Sequence, residues 1–206
     1  MSTPAPRRPF KLLDAMALIA ATAAGLGAAR GMRGWLWDST DVSFVAGTFA
    51  AIVLEAVRWI GLGLPLLVAW TVALALLPLL SPWSRPRLND ALGRPGMTAC
   101  GSATFVLAIG AINLTALFLA LLVNDLARVM NSDEIRETFV FFITYNLLIA
   151  PGSAVTVAWS MQALSGRWRP EPDWLDRAGR FVGLVWMVLT VLHPWLLSVI
   201  GGAWVF

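Results

Sequence analysis

Cysteine and histidine each occur only once in this chain of 206 residues. The lone Cys100 excludes an internal disulfide and a cysteine-rich metal site, and its place in an apolar run predicts a small packing residue. HExxH, GxSxG, P-loop and CxxC motifs are absent from the sequence, and no apolar run contains paired carboxylates. These absences predict a protein that is not an enzyme and that binds no metal or other cofactor.

Charged residues are also scarce. They make up 13% of the chain, whereas 58% is hydrophobic; a soluble domain has about 25% charged residues. The mean hydropathy is +0.74, and no alternating segments of about ten residues suggest a barrel. We therefore predict an all-α fold, a polytopic membrane helical bundle that forms a single domain. The net charge of +3 indicates arginines that keep loops on the cytoplasmic side of the membrane, and we do not expect nucleic-acid binding.

The apolar runs predict five membrane spans that follow a basic cytoplasmic tail, residues 1–11. Small residues near Ala29 also allow a signal peptide, but the length of the first apolar run favours an uncleaved span. About 20 helical residues suffice to cross a bilayer core. The five predicted spans are residues 12–32, 61–81, 97–123, 137–164 and 180–204.

One apolar stretch, residues 42–80, is too long for a single crossing. Gly61, Gly63 and Pro65 lie near its middle, and the Pro65 ring would clash with the carbonyl of Gly61 in a regular helix. We therefore predict a break there, with a separate helix at 42–59 before the second span.

The residues before that break carry a polar stripe. Asp41, Thr48 and Glu55 recur every seven residues, and Arg58 follows Glu55 by one turn. This pattern is typical of an amphipathic helix that lies in the membrane interface, with an oblique, partly inserted helix as the alternative. The charged pair Glu55 and Arg58 is a functional hint if it lies in the membrane, whereas an interfacial helix explains the two residues without a function.

The cationic residues predict the orientation of the chain. If 42–59 does not cross, ten of them lie on the side of the N-terminus and four or five on the other. Arginine and lysine favour the cytoplasmic side, so the N-terminus is predicted to be cytoplasmic and the C-terminus periplasmic. The ten are Arg7, Arg8, Lys11, Arg85, Arg87, Arg94, Arg167, Arg169, Arg177 and Arg180.

Small residues form a face on the first span. Ala23, Gly27 and Gly31 are spaced four residues apart, and small residues let helix backbones approach closely in lipid. The face predicts helix packing, either within the chain or, as a sharper hypothesis, between two copies of it.

Several polar residues within the later spans are candidates for a substrate site. Pro151–Gly152 and His193–Pro194 predict irregular helix backbone, which at membrane depth is buried in protein or lines a cavity. The same polar groups can instead hold the bundle together by hydrogen bonds between helices. The candidates are Asn113, Tyr145, Asn146, Ser153 and His193.

The single histidine, His193, has two interpretations. Imidazole can bind haem iron or relay a proton, although a bis-histidine haem would need a second histidine from another subunit. Alternatively, Pro194 frees the carbonyl of Thr190, and His193 belongs to the neighbourhood that satisfies the loosened backbone.

Three segments of the chain, RRPFKLLDAMALIAATAAGL, RPRLNDALGRPG and EPDWLDRAGR, resemble uncharacterised bacterial multi-pass inner-membrane proteins. The resemblance implies a place in the bacterial inner membrane and no particular activity. We expect a non-enzymatic scaffold or accessory subunit whose partners are the lipid bilayer and either itself or a larger complex. The alternatives are a small transporter or channel with a polar site among spans three to five, and a haem- or pigment-binding subunit using His193.

Overall fold

The computed structural model describes residues 11–38, 48–80, 93–123, 149–168 and 173–204, and these residues form helices without strands. The all-α prediction is therefore confirmed for the described part of the chain. Three stretches, Leu12–Arg33, Trp59–Pro78 and Pro95–Leu117, are long and apolar enough to cross a membrane. The helices are α1 (Leu12–Asp38), α2 (Thr48–Leu80), α3 (Pro95–Val123), α4 (Ala150–Leu164) and α5 (Trp174–Trp204).

Helices α1 and α2 form an antiparallel hairpin. Gly25 of α1 lies against Leu66 of α2, and the Trp70 Nε1–H donates to Thr22 Oγ1 at 3.0 Å. Residue numbers fall along α1 as they rise along α2, so the start of α1 lies beside the end of α2.

Helices α3 and α5 run parallel to each other. Gly96 lies against Asp176 and Ala99 against Gly183, so residue numbers rise together along the two helices. Helix α4 runs in the opposite direction, because its first turn at Gly152 lies against Thr190 of α5. The starts of α3 and α5 and the end of α4 therefore lie at one end of the bundle, here called the polar end.

Helix α2 joins the two halves of the bundle at Thr71. The Trp186 indole, which is fully buried, donates its Nε1–H to Thr71 Oγ1 at 3.0 Å, and Thr104 Oγ1 lies 3.5 Å from the Thr71 carbonyl oxygen. Leu74 and Leu77, in the last turns of α2, join the same buried cluster as the first turns of α3. This packing fits an antiparallel α2 and α3, with Leu80 at the polar end.

The predicted break between residues 59 and 65 is wrong, because α2 is one helix from Thr48 to Leu80 with Pro65 and Pro78 inside it. Membrane helices tolerate proline because neighbouring helices and small local adjustments satisfy the freed backbone group. A helix of this length spans about 50 Å, which exceeds a bilayer core of about 30 Å. The helix is therefore longer than one upright crossing requires. Residues 42–47 of the predicted interfacial helix lie outside the described residues, and whether residues 48–59 cross the membrane stays a prediction.

Helices cover three of the other predicted spans, 12–32, 97–123 and 180–204, with two differences at their ends, and whether each crosses a membrane stays a prediction. Helix α1 continues to Asp38, and α5 begins at Trp174, six residues earlier than predicted. Of the predicted fourth span, residues 137–148 lie outside the described residues. Ile149 already has helical backbone angles (φ −85°, ψ −52°), so Pro151–Gly152 stands in helical backbone and the predicted kink remains a prediction.

Candidate functional site

The polar end carries the densest hydrogen bonding of the described residues, beginning with the first turn of α5. Asp173 immediately precedes this helix, and its Oδ1 accepts the backbone N–H of Asp176 at 2.7 Å. The first four N–H groups of a helix lack intrahelical acceptors, and an aspartate in this position is a favoured N-cap. Asp173 therefore explains why the helix begins at Trp174 rather than at residue 180.

Asp176 caps a second helix. Its carboxylate is fully buried, and Oδ1 accepts the backbone N–H of Gly96, the second residue of α3, at 2.7 Å. Oδ2 of the same carboxylate lies 3.2 Å from Arg180 Nε. A single aspartate on α5 thus satisfies the start of α3 and pairs with a guanidinium, which meets the requirement that a buried charge be compensated.

Two parallel helices with adjacent N-termini bring two positive dipole ends together. Asp173 and Asp176 place negative charge at that point, and Arg94 Nη1 lies 3.3 Å from Asp173 Oδ2. Each carboxylate therefore lies between a helix N-terminus and an arginine. We call Arg94, Asp173, Asp176 and Arg180 the aspartate clamp.

Two glycines allow the clamp to close. A Cβ atom at Gly96 would collide with the backbone carbonyl of Asp176, and one at Gly179 would collide with the carbonyl of Gly96. The α3 and α5 backbones are therefore in direct contact at this level, which only glycine permits.

Helix α4 attaches to the polar end through two side chains. The Trp159 Nε1–H donates to the Pro95 carbonyl at 2.8 Å, and Gln162 Nε2 donates to Thr98 Oγ1 at 2.6 Å. The Trp159 ring also meets Trp168 edge-on, with ring centroids 5.6 Å apart. These bonds hold the last turns of α4 against the first turn of α3.

The clamp holds the starts of α3 and α5 together. Its carboxylates are paired with arginines and backbone N–H groups, and the described residues contain no group of three or more histidine, cysteine, aspartate or glutamate side chains that could hold a metal. Sequence reasoning missed the clamp because it treated both segments as arginine-rich loops. The aspartate before Trp174 and the proline at the first position of α3 do signal two helix starts, but not their contact.

Three of the five predicted polar candidates lie among the described residues, and a shared site for them stays a prediction. Asn113 on α3 is exposed, Ser153 on α4 is half-buried and His193 on α5 is buried. The His193 Nε2 atom is buried and has no hydrogen-bond partner among the described residues. Tyr145 and Asn146 lie outside the described residues.

The charged pair in the first turns of α2 is described only in part. Glu55 is half-buried, whereas the Arg58 side chain lies outside the described residues. Extending the α1–α2 register set by Gly25 and Leu66 places Glu55 beside the last turn of α1. A function for this pair stays a prediction.

The small-residue face predicted on α1 points away from the other described helices. Ala23, Gly27 and Gly31 are exposed, and a Cβ atom added at either glycine would meet nothing within 4 Å. Helix α1 instead packs closely against α2 at Gly25, where a Cβ atom would lie 2.6 Å from the Leu66 Cα atom. Within the described residues Gly25, and not this face, packs against α2, so packing through Ala23, Gly27 and Gly31 stays a prediction.

An apolar groove of about 400 Å³ lies between α2 and α5. Its walls are entirely hydrophobic apart from Trp70, whose Nε1–H is already donated to Thr22. Side chains from both helices line it, among them Ile60, Leu64, Trp70, Phe181, Val185 and Leu189.

Three features stand out among the described residues: the aspartate clamp at the polar end, the apolar groove and the small-residue face of α1. The clamp is internal, whereas no described residue covers the α1 face and the groove is open on one side in the part of the chain that the structure describes. Comparisons with protein-family models, with curated proteins and with solved structures find no match to this chain.

Proposed function

We propose that the protein is a non-enzymatic multi-pass membrane scaffold that crosses the bilayer five times and associates with a second copy of itself through α1. The observation that carries the proposal is the bare small-residue face: Gly27 and Gly31 have open space where a side chain would be, and Ala23 beside them is exposed.

Membrane physics favours such a face as a contact. Lipid tails are as apolar as the helices they surround, so helices associate through van der Waals packing, which small residues improve by allowing close backbone approach. On α1 the face toward α2 is already used at Gly25. The opposite face carries the same kind of residue and has no partner within the described chain.

The arrangement of the described helices supports the orientation. Lys11, Arg94, Arg167 and Arg177 all lie at the polar end, where α1, α3 and α5 begin and α4 ends. Arginine and lysine accumulate on the cytoplasmic side of inner-membrane proteins, so we assign the polar end to the cytoplasm and the C-terminus to the periplasm.

The test is the oligomeric state of the purified full chain in mild detergent, measured by light scattering and by cross-linking in membranes. The double variant Gly27→Leu/Gly31→Leu should lose the dimer, because leucine side chains hold the two backbones apart. Gly101→Leu is the matched control: this α3 glycine is also exposed with open space around it, and its replacement should leave the dimer intact. A monomeric wild type, or a dimer that survives the double substitution, would refute the proposal.

A further inference from the structure

The α2–α5 groove lies at the depth of the hydrocarbon core. Its α2 residues, from Ile60 to Trp70, fall within the apolar stretch Trp59–Pro78. Its volume of about 400 Å³ is within the range of about 300–1,000 Å³ that small-molecule sites occupy. Because its walls offer no free hydrogen-bonding group, whatever fills the groove at this depth must be apolar.

One stripe of α5 connects the groove to the polar end. Arg177, Phe181, Val185 and Leu189 follow one another at intervals of four residues, which places each beside the next along the helix surface. Phe181, Val185 and Leu189 line the groove, and Arg177 is exposed. Four residues of helix rise about 6 Å, so a cation lies just beyond the end of the groove.

The two described aspartates near this cation are already engaged. Asp173 and Asp176 are buried and lie against Arg94 and Arg180 respectively. Arg177 forms no ion pair with a carboxylate of the described residues, although its backbone N–H donates to the Asp173 carbonyl oxygen. Among the described residues, the charge that the polar end presents next to the groove is therefore positive.

We propose that the groove and Arg177 together bind one anionic phospholipid of the bilayer, with an acyl chain in the groove and the phosphate beside the guanidinium. Basic residues at the cytoplasmic ends of membrane helices attract anionic headgroups. The apolar walls match a hydrocarbon chain, and the exposed cation at the end of the same stripe matches a negatively charged headgroup.

The experiment is native mass spectrometry of the purified full chain titrated with phosphatidylglycerol or with phosphatidylcholine of the same acyl chains. The wild type should bind phosphatidylglycerol about fivefold more tightly, because one cation near an anionic lipid surface contributes about 1 kcal/mol. Arg177→Gln should bind both lipids with the affinity of phosphatidylcholine, since it removes only the headgroup contact.

Gly63→Leu tests the acyl-chain contact. Gly63 lines the groove and has open space around its missing side chain, so leucine fills the groove without disturbing the helices. This variant should weaken the binding of both lipids at least fivefold. Gly101→Leu changes an open glycine outside the groove lining and should weaken the binding of neither lipid. Equal binding of the two lipids by the wild type, or full binding by Gly63→Leu, would overturn the proposal.

Discussion

The aspartate clamp predicts which single side chain at the polar end matters most for stability. Asp176 accepts the Gly96 N–H at 2.7 Å and lies 3.2 Å from Arg180 Nε, and its side chain is fully buried. Asp176→Ala removes both partners at once. A buried N–H without an acceptor costs about 1–3 kcal/mol, and a broken buried ion pair costs about 3–5 kcal/mol.

The second of these values is an upper limit here, because the Arg180 side chain is 33% exposed and water partly solvates the guanidinium that loses its partner. We therefore expect Asp176→Ala to lower the free energy of unfolding by about 3 kcal/mol. Asp176→Asn keeps an oxygen that can accept the Gly96 N–H and loses only the charge. We therefore expect it to lower the free energy of unfolding by about 1 kcal/mol.

The assay is reversible unfolding of the purified protein in mixed micelles by titration with sodium dodecyl sulfate. The helix content of the protein is measured at each step of the titration. Arg167→Gln is the control, because Arg167 is exposed at the same end of the bundle and should change the free energy by less than about 0.5 kcal/mol. If Asp176→Ala unfolds at the same midpoint as Arg167→Gln, then the clamp does not hold α3 and α5 together and the reasoning fails.

Two further predictions concern the core and the topology. Thr71→Val should destabilise the protein by about 1–3 kcal/mol in the same assay, because the buried Trp186 N–H loses its acceptor. When Thr71→Val is combined with Trp186→Phe, the two losses of stability should not add. Full additivity would show that the hydrogen bond contributes nothing. In a Cys100→Ala background, cysteine at Lys11 should be shielded from an impermeant thiol reagent in intact cells and cysteine at Arg33 should react. The opposite result would invert the proposed orientation.

Much of the fold could be predicted from the sequence because it depends on local composition. Uninterrupted apolar runs of about 20 residues are long enough to cross a bilayer. In lipid such a run forms a helix, because only its own backbone can satisfy its N–H and C=O groups. For the same reason α1 begins where the first span is predicted to begin, and α3 lies close to the predicted third span at both ends. Cys100 was predicted to be a small packing residue, and it is buried.

The predictions that differ from the structure applied rules for an isolated helix to residues whose conformation or contacts depend on neighbouring helices. Proline and glycine at 61–65 break an isolated helix, yet α2 continues through them. Helix α1 is rich in small apolar residues on all sides, so its periodicity does not show that Gly25 rather than Gly27 faces α2.

What the sequence by itself determined is that the chain is helical, apolar and basic at the ends of its helices, because these properties are carried by single residues and short runs. Only the tertiary structure decided which faces meet. The capping of α3 by Asp176 joins residues 80 positions apart, and the stripe from Arg177 to Leu189 becomes one wall of a groove only because α2 lies beside it. Such contacts depend on the rotation and register of neighbouring helices, and small differences in packing between nearly uniform apolar faces set both.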